Sequence, residues 1–138
     1  MLIRRAIPDD VYREDLRALV LRGLNSGIGL THSWPKLESL AKMGLDNGFW
    51  MVAEEMGEAA AHILAIITPN PIFEGDQCIV IAWYSERPGA GWRLFNKFHE
   101  WVKTQNMTSV AISTNMDKRL NRILKKRGWI LCPVYLKT

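Results

Sequence analysis

Cysteine is nearly absent from this chain, and so is any grouping of side chains that could hold a metal. The two cysteines, Cys78 and Cys132, stand far apart in separate apolar runs, with no C-x-x-C and no neighbouring histidine. They read as reduced, buried thiols, the usage expected of a cytoplasmic protein rather than a disulfide-stapled secreted one. No apolar run is long enough to span a bilayer, and Met1-Leu2-Ile3-Arg4-Arg5 lacks the apolar core of a signal peptide. No repeat or low-complexity tract is visible. These absences leave a single domain over residues 1–138, with no metal and no membrane partner.

The chain does carry enough apolar residues to build a core. With 138 residues, 48% hydrophobic and 23% charged, it can bury that core without staples. A net charge of +4 is compatible with an anionic cofactor but does not by itself argue for nucleic acid.

The most informative stretch runs from Cys78 to Val102. An apolar strand (Cys78 to Tyr84) meets a tight turn, Glu86-Arg87-Pro88-Gly89-Ala90-Gly91-Trp92, and then an amphipathic helix. The first amides of such a helix lack intrahelical partners and sit at the positive end of its dipole, which suits an anion such as a phosphate. The same glycines also serve as ordinary turn punctuation.

The rest of the chain supplies a frame for that turn. Leu2 to Ile7 reads as a first strand, followed after Pro8-Asp9-Asp10 by a helix over Val11 to Leu24. Its apolar face is Tyr12, Leu16, Leu19, Val20 and Leu24. Gly23 and the Asn/Ser/Gly residues after it break that helix. A second helix starts near Ser33 with Pro35 in its first turn and Trp34, Leu37, Leu40, Ala41 and Leu45 inward. Phe49 to Glu54 and Ala59 to Thr68 make a hairpin. After the central helix, with Leu94, Phe95, Phe98, Trp101 and Val102 inward, come a strand over Thr108 to Ser113 and a helix over Asp117 to Arg127. Gly128 stops that helix, and Trp129 to Leu136 reads as a closing strand. The order β-α-α-β-β-β-α-β-α-β predicts a mixed α/β sheet with helices on both faces.

With that order, the chain resembles the GCN5-related N-acetyltransferase superfamily, in particular its small divergent members of bacterial or phage type. Ile3-Arg4-Arg5-Ala6-Ile7-Pro8-Asp9-Asp10 is similar to the family's opening I-R-x-A-x-x-x-D. Gly89-Ala90-Gly91 resembles the end of its acetyl-CoA motif, (Q/R)-x-x-G-x-(G/A). Asn115, followed after a helix by Gly128-Trp129, resembles its Asn and Gly-Phe pair. The resemblance implies a mostly antiparallel sheet of about six strands, acetyl-CoA as co-substrate, and transfer of its acetyl group to an amine of a small molecule or protein. Pantetheine would run beside Ala82, Trp83 and Tyr84, and the diphosphate would rest on amides from Arg87 to Trp92, Pro88 having none, with Asn115 nearby.

Two positions depart from the family. Glu86 stands where Gln or Arg is usual, and a carboxylate there would oppose a diphosphate unless Arg87 turned inward and Glu86 pointed to water. Leu124 stands four residues before Gly128, where a Tyr commonly protonates the leaving thiolate. Tyr84 and Ser113 are the candidate substitutes, and Glu54 the candidate general base. For His62 in its apolar strand, a structural role outweighs a catalytic one. Two rival readings follow: a catalytically degenerate fold that binds a macromolecule or a second copy of itself, and phosphate binding through Lys118, Arg119, Arg122, Lys125, Lys126 and Arg127. The default for that basic run is a solvated outer helix face.

Overall fold

In the computed structural model, residues 1–24, 32–113 and 118–132 are described. Five strands, β1 (Leu2–Arg5), β2 (Phe49–Glu55), β3 (Glu58–Pro69), β4 (Asp76–Ser85) and β5 (Met107–Ile112), lie side by side in chain order. The first three pairings are antiparallel and β4–β5 is parallel, so the chain needs one crossover between β4 and β5, and α3 (Ala90–Lys103) provides it. Helices α1 (Glu14–Leu24) and α2 (Trp34–Asp46) cover one face; α3 and α4 (Lys118–Lys126) cover the other. This is the expected mixed, mostly antiparallel architecture, with five strands among the described residues rather than six. Trp129 to Cys132 are not strand. The remainder of the expected closing strand, the break after Leu24, Asn115 and Asp117 lie outside the described residues.

The first helix departs from its expected form. Pro8–Tyr12 is a 3₁₀ turn, Arg13 is extended, and α1 begins only at Glu14. The reason is electrostatic. Asp10, 2% exposed, accepts from Arg4 at 2.7 and 2.9 Å, from the Ile7 amide at 2.7 Å and from Arg13 at 3.3 Å. Drawing this carboxylate down to the sheet stops a continuous helix, and it leaves Tyr12 69% exposed rather than buried. Burial alone would raise the Asp10 carboxyl, but these donors, Arg4 foremost, bring it down to about 2.

Turn chemistry accounts for the other ends. The β2–β3 hairpin closes through Met56 and Gly57, both at positive φ, the two-residue turn whose twist matches paired strands. Helix α4 stops as expected: Trp129 N–H reaches Leu124 C=O and Gly128 N–H reaches Lys125 C=O, with Gly128 at φ 93°.

The sheet's alternation divides the core in two, and β4 changes its phase. Leu64 pairs with Ala82 but Ala65 with Val80, so β4 carries one extra residue at Ile81. Before that bulge, Cys78 and Val80 face α3. After it, Trp83 faces α3 and Tyr84 faces α1. A period of two has been shifted by one, which puts Tyr84 on the opposite face from the one a regular strand would give it. Cys78 is buried as expected, and burial pushes its thiol up to about 11. Cys132 is exposed, contrary to expectation.

Helix α1 lies close to Tyr84. A Cβ on Gly23 would stand 2.6 Å from both Cβ and Cγ of Tyr84, so Gly23 is a contact within α1 rather than its breaker. Gly23→Ala is expected to destabilise the fold by about 1–3 kcal/mol, as overpacking does. Because the Cβ of Tyr84 is itself one of the atoms met, Tyr84→Gly rather than Tyr84→Ala removes the clash, and Gly23→Ala should cost clearly less in the Tyr84→Gly background than in wild type. Denaturant titration of the two single variants and the double variant checks this, and strictly additive losses would place the strain elsewhere.

His62, on β3 beside Tyr84 and Val52, is fully buried and neither ring nitrogen has a partner among the described residues. Burial lowers its pKa to about 4. The folded state therefore holds it neutral while the unfolded chain takes up a proton near pH 6.5. Its contribution is intact above pH 6.5 and is lost as pH falls towards 4, a loss of about 3 kcal/mol when complete. Asp10 acts only lower, with stability lost as pH falls from 3.8 through about 2. Urea midpoints should fall for wild type between pH 6.5 and 5, above the range in which Glu86 and Asp10 lose their contributions, and stay level there for His62→Phe. A level wild-type curve would contradict this account of His62.

Candidate functional site

The site is built where β4 outruns β5. Their ladder ends at Val80↔Ile112, whereas β4 continues through Ser85. From Ile81 to Ser85 one edge of β4 therefore has no strand neighbour among the described residues. The bulge stands at the first unpaired residue. Beyond that last rung a ligand chain could add backbone pairing to β4.

This open edge runs into the glycine turn, which other bonds hold in shape. The Glu86 amide donates to Ala60 C=O at 2.9 Å, tying the turn to β3. Ser85 Oγ accepts the Arg87 amide at 3.2 Å and donates to Arg87 C=O at 2.7 Å. The Ala90 amide donates to Arg87 C=O at 3.3 Å. Gly89, at φ 78°, turns the chain into α3, a conformation few residues other than glycine tolerate. Of the amides expected to face an anion, those of Arg87 and Ala90 are thus already used. Those of Gly89, Gly91 and Trp92 remain without a partner among the described residues, at the N-terminus of a 14-residue helix.

The charged side chains around the turn differ from expectation. Glu86 does not point free into water: Arg22 of α1 grips both its oxygens at 2.7 and 2.8 Å, and the Tyr84 hydroxyl donates to it at 3.1 Å. Arg22 holds the Glu86 carboxyl below its usual range. Burial and the adjacent Glu86 raise the Tyr84 hydroxyl, so it keeps its proton at neutral pH. Arg87 does not turn inward either; its Nε pairs with Glu55 on the hairpin. The two ion pairs border a recess of ≈ 270 Å³ on the α1 side, shared with Glu58 and Asp15.

The other proposed residues are spread out. Ala82 is buried and Trp83 packs its ring on Phe95 at 4.8 Å, its indole N–H donating to Gly91 C=O at 2.9 Å. Ser113 is exposed and level with Ile81, about 10 Å along the strand from Tyr84. Glu54 is held by Arg4 at 2.5 Å and Arg13 at 3.4 Å, on β2 and separated from β4 by β3. Glu54 therefore stands apart from the β4 edge, with its carboxylate paired to two guanidinium groups. Arg22, Ser85 and the Ala60 carbonyl complete the turn without having been singled out from sequence. Only Ser85, a hydroxyl just ahead of a turn, carried a local signal.

No protein-family model and no curated protein sequence matches the chain. Solved structures do match in fold. A predicted acetyltransferase with acetyl-CoA from Clostridium acetobutylicum is similar with a TM-score of 0.77 at 17% identity, over 99% of this chain and 94% of that one. Glucosamine-6-phosphate N-acetyltransferase from Arabidopsis thaliana gives 0.69 at 17%, over 99% and 96%. Ribosomal-protein-alanine N-acetyltransferase from Brucella melitensis gives 0.64 at 11%, over 100% and 98%. The names of the last two contain a sugar phosphate and a protein, so the shared fold does not select an acceptor.

Proposed function

Because this chain has the fold of the GCN5-related N-acetyltransferases, we propose that it is an acyl-CoA-dependent N-acetyltransferase acting on an amine. The observation that carries this reading is the edge of β4 that, among the described residues, has no strand neighbour and leads into three amides without a partner at the start of α3. The edge from Ile81 to Ser85 is suited to pantetheine, and the amides of Gly89, Gly91 and Trp92 to the diphosphate. The bound thioester would supply an acyl group open to attack by an amine.

The chain's own contribution is position and one proton. Tyr84 Oη carries its proton at neutral pH and stands at the end of the open edge, so it is the available donor to a departing thiolate. To act, it must leave Glu86. Leu124, 4% exposed in the core, can donate nothing. General acid help is worth about 10²–10⁴-fold, so an enzyme relying on Tyr84 alone is expected to be slow. The buried Leu124 is also what favours the second reading, a non-catalytic binding protein.

Acetyl-CoA at about 100 times its dissociation constant should raise the melting temperature by on the order of 5–10 °C. At Gly89 a Cβ would meet nothing within 4 Å, and Asn and Asp both tolerate positive φ. Gly89→Asn should keep most of the shift, whereas Gly89→Asp, which adds only charge, should lose it. Absence of any wild-type shift at millimolar acetyl-CoA would remove the transferase reading; an equal shift in both variants would move the diphosphate elsewhere.

A further inference from the structure

Charge is divided unevenly along this chain. Residues 1–86 contain seven Lys/Arg and twelve Asp/Glu, whereas residues 87–138 contain eleven and two. Folding converts this division into a difference between faces, because α1 and α2 lie on one side of the sheet and α3 and α4 on the other.

Helix α4 concentrates the positive charge. Lys118, Arg119, Arg122, Lys125 and Lys126 are all exposed, and none has an acidic partner among the described residues. Arg127 stacks over Trp92 at 4.6 Å and donates to Asn96 at 2.9 Å, joining α4 to α3. Asn96, Arg93 and Lys97 in turn line a shallow recess of ≈ 570 Å³ with Ile3 and Met51 as its floor. The basic surface is therefore continuous across both helices, with Glu100 its one carboxylate among the described residues, 3.8 Å from Lys97.

Helix stability does not explain the pattern. Cations near a C-terminus meet the negative end of the dipole, which accounts for Lys125, Lys126 and Arg127. Lys118 and Arg119 lie in the first turn, where the dipole opposes them, and that turn has no acidic residue. Lys118, Arg122 and Lys126 follow one another at i,i+4, a spacing at which like charges repel. An ordinary solvated face would interleave acids there. The N-terminal half of the arrangement opposes its own helix, and an external polyanion would relieve that repulsion.

We propose that the α3–α4 face docks a nucleic-acid duplex through its phosphates. The tryptophans of the described part of the face are each packed against another group, Trp92 under Arg127, Trp83 and Trp129 on Phe95 and Trp101 on Phe49, rather than set out for stacking unpaired bases. The contact is therefore with the backbone and independent of sequence. Docking requires no acetyl-CoA, so its test is separate from that of the transfer reaction.

The test is fluorescence anisotropy of the full chain with duplexes of about 20 base pairs, in DNA and in RNA, over about 50–200 mM salt, where affinity for DNA should fall with a log–log slope of about −4. Arg119→Gln/Arg122→Gln should weaken binding about tenfold or more at low salt and reduce that slope by about 2. Lys36→Gln/Lys42→Gln, equal in charge change but on α2, should leave binding within about twofold, since only contacted phosphates set the slope. Melting curves for both variants establish that each is folded. No binding to either duplex at low salt would overturn the proposal, as would equal losses in the two variants. So would capture by phosphatidylserine-containing vesicles with none by duplex.

Discussion

The extra residue at Ile81 governs the geometry of everything that follows it in β4. Without it, Trp83 would face α1 and Tyr84 would join the aromatic cluster under α3. With it, Trp83 supports α3 and braces Gly91, while Tyr84 meets α1 and Glu86. The bulge also comes directly after the last rung of the β4–β5 ladder. One inserted residue thus sets both where the sheet opens and which side chains stand beside the opening.

The turn after β4 is braced from three directions. β3 holds it through Ala60 C=O, α1 through Arg22, and the β2–β3 hairpin through Glu55 and Arg87. The ion pairs are surface contacts, each worth little alone. What they achieve is local neutrality: Glu86 and Glu55 are each matched by an arginine, so Glu86 does not oppose an anion as an unpaired charge would. The densest run of cations without a carboxylate partner among the described residues lies instead on α4.

Much of the frame was legible because its signals are local. Gly89-Ala90-Gly91 at a strand–helix junction, the inward stripe of Leu94, Phe95 and Phe98, and the basic last turn before Gly128 each occupy a few consecutive residues. The bulge was not legible. Ile79-Val80-Ile81-Ala82-Trp83 is apolar throughout, with no glycine or proline to mark a change of phase, so the face of Tyr84 could not be read. Arg22–Glu86 joins residues 64 positions apart, and no spacing rule anticipates it. The 3₁₀ turn was hidden for a related reason. The apolar period continues through Tyr12, but burial of Asp10 against Arg4 overrides it.

The sheet's order has a consequence for how the molecule forms. Strands β2, β3 and β4 are consecutive hairpin neighbours, and most of the sheet's rungs belong to them. Joining β1 to β2 must first close a loop spanning two helices, and joining β4 to β5 one spanning α3. Chain entropy therefore favours the three-stranded meander as the earliest ordered unit, with β1 and β5 added to its edges afterwards. The opening beside β4 is in that sense a seam in assembly, lying between the part of the sheet that closes first and the strand that arrives later.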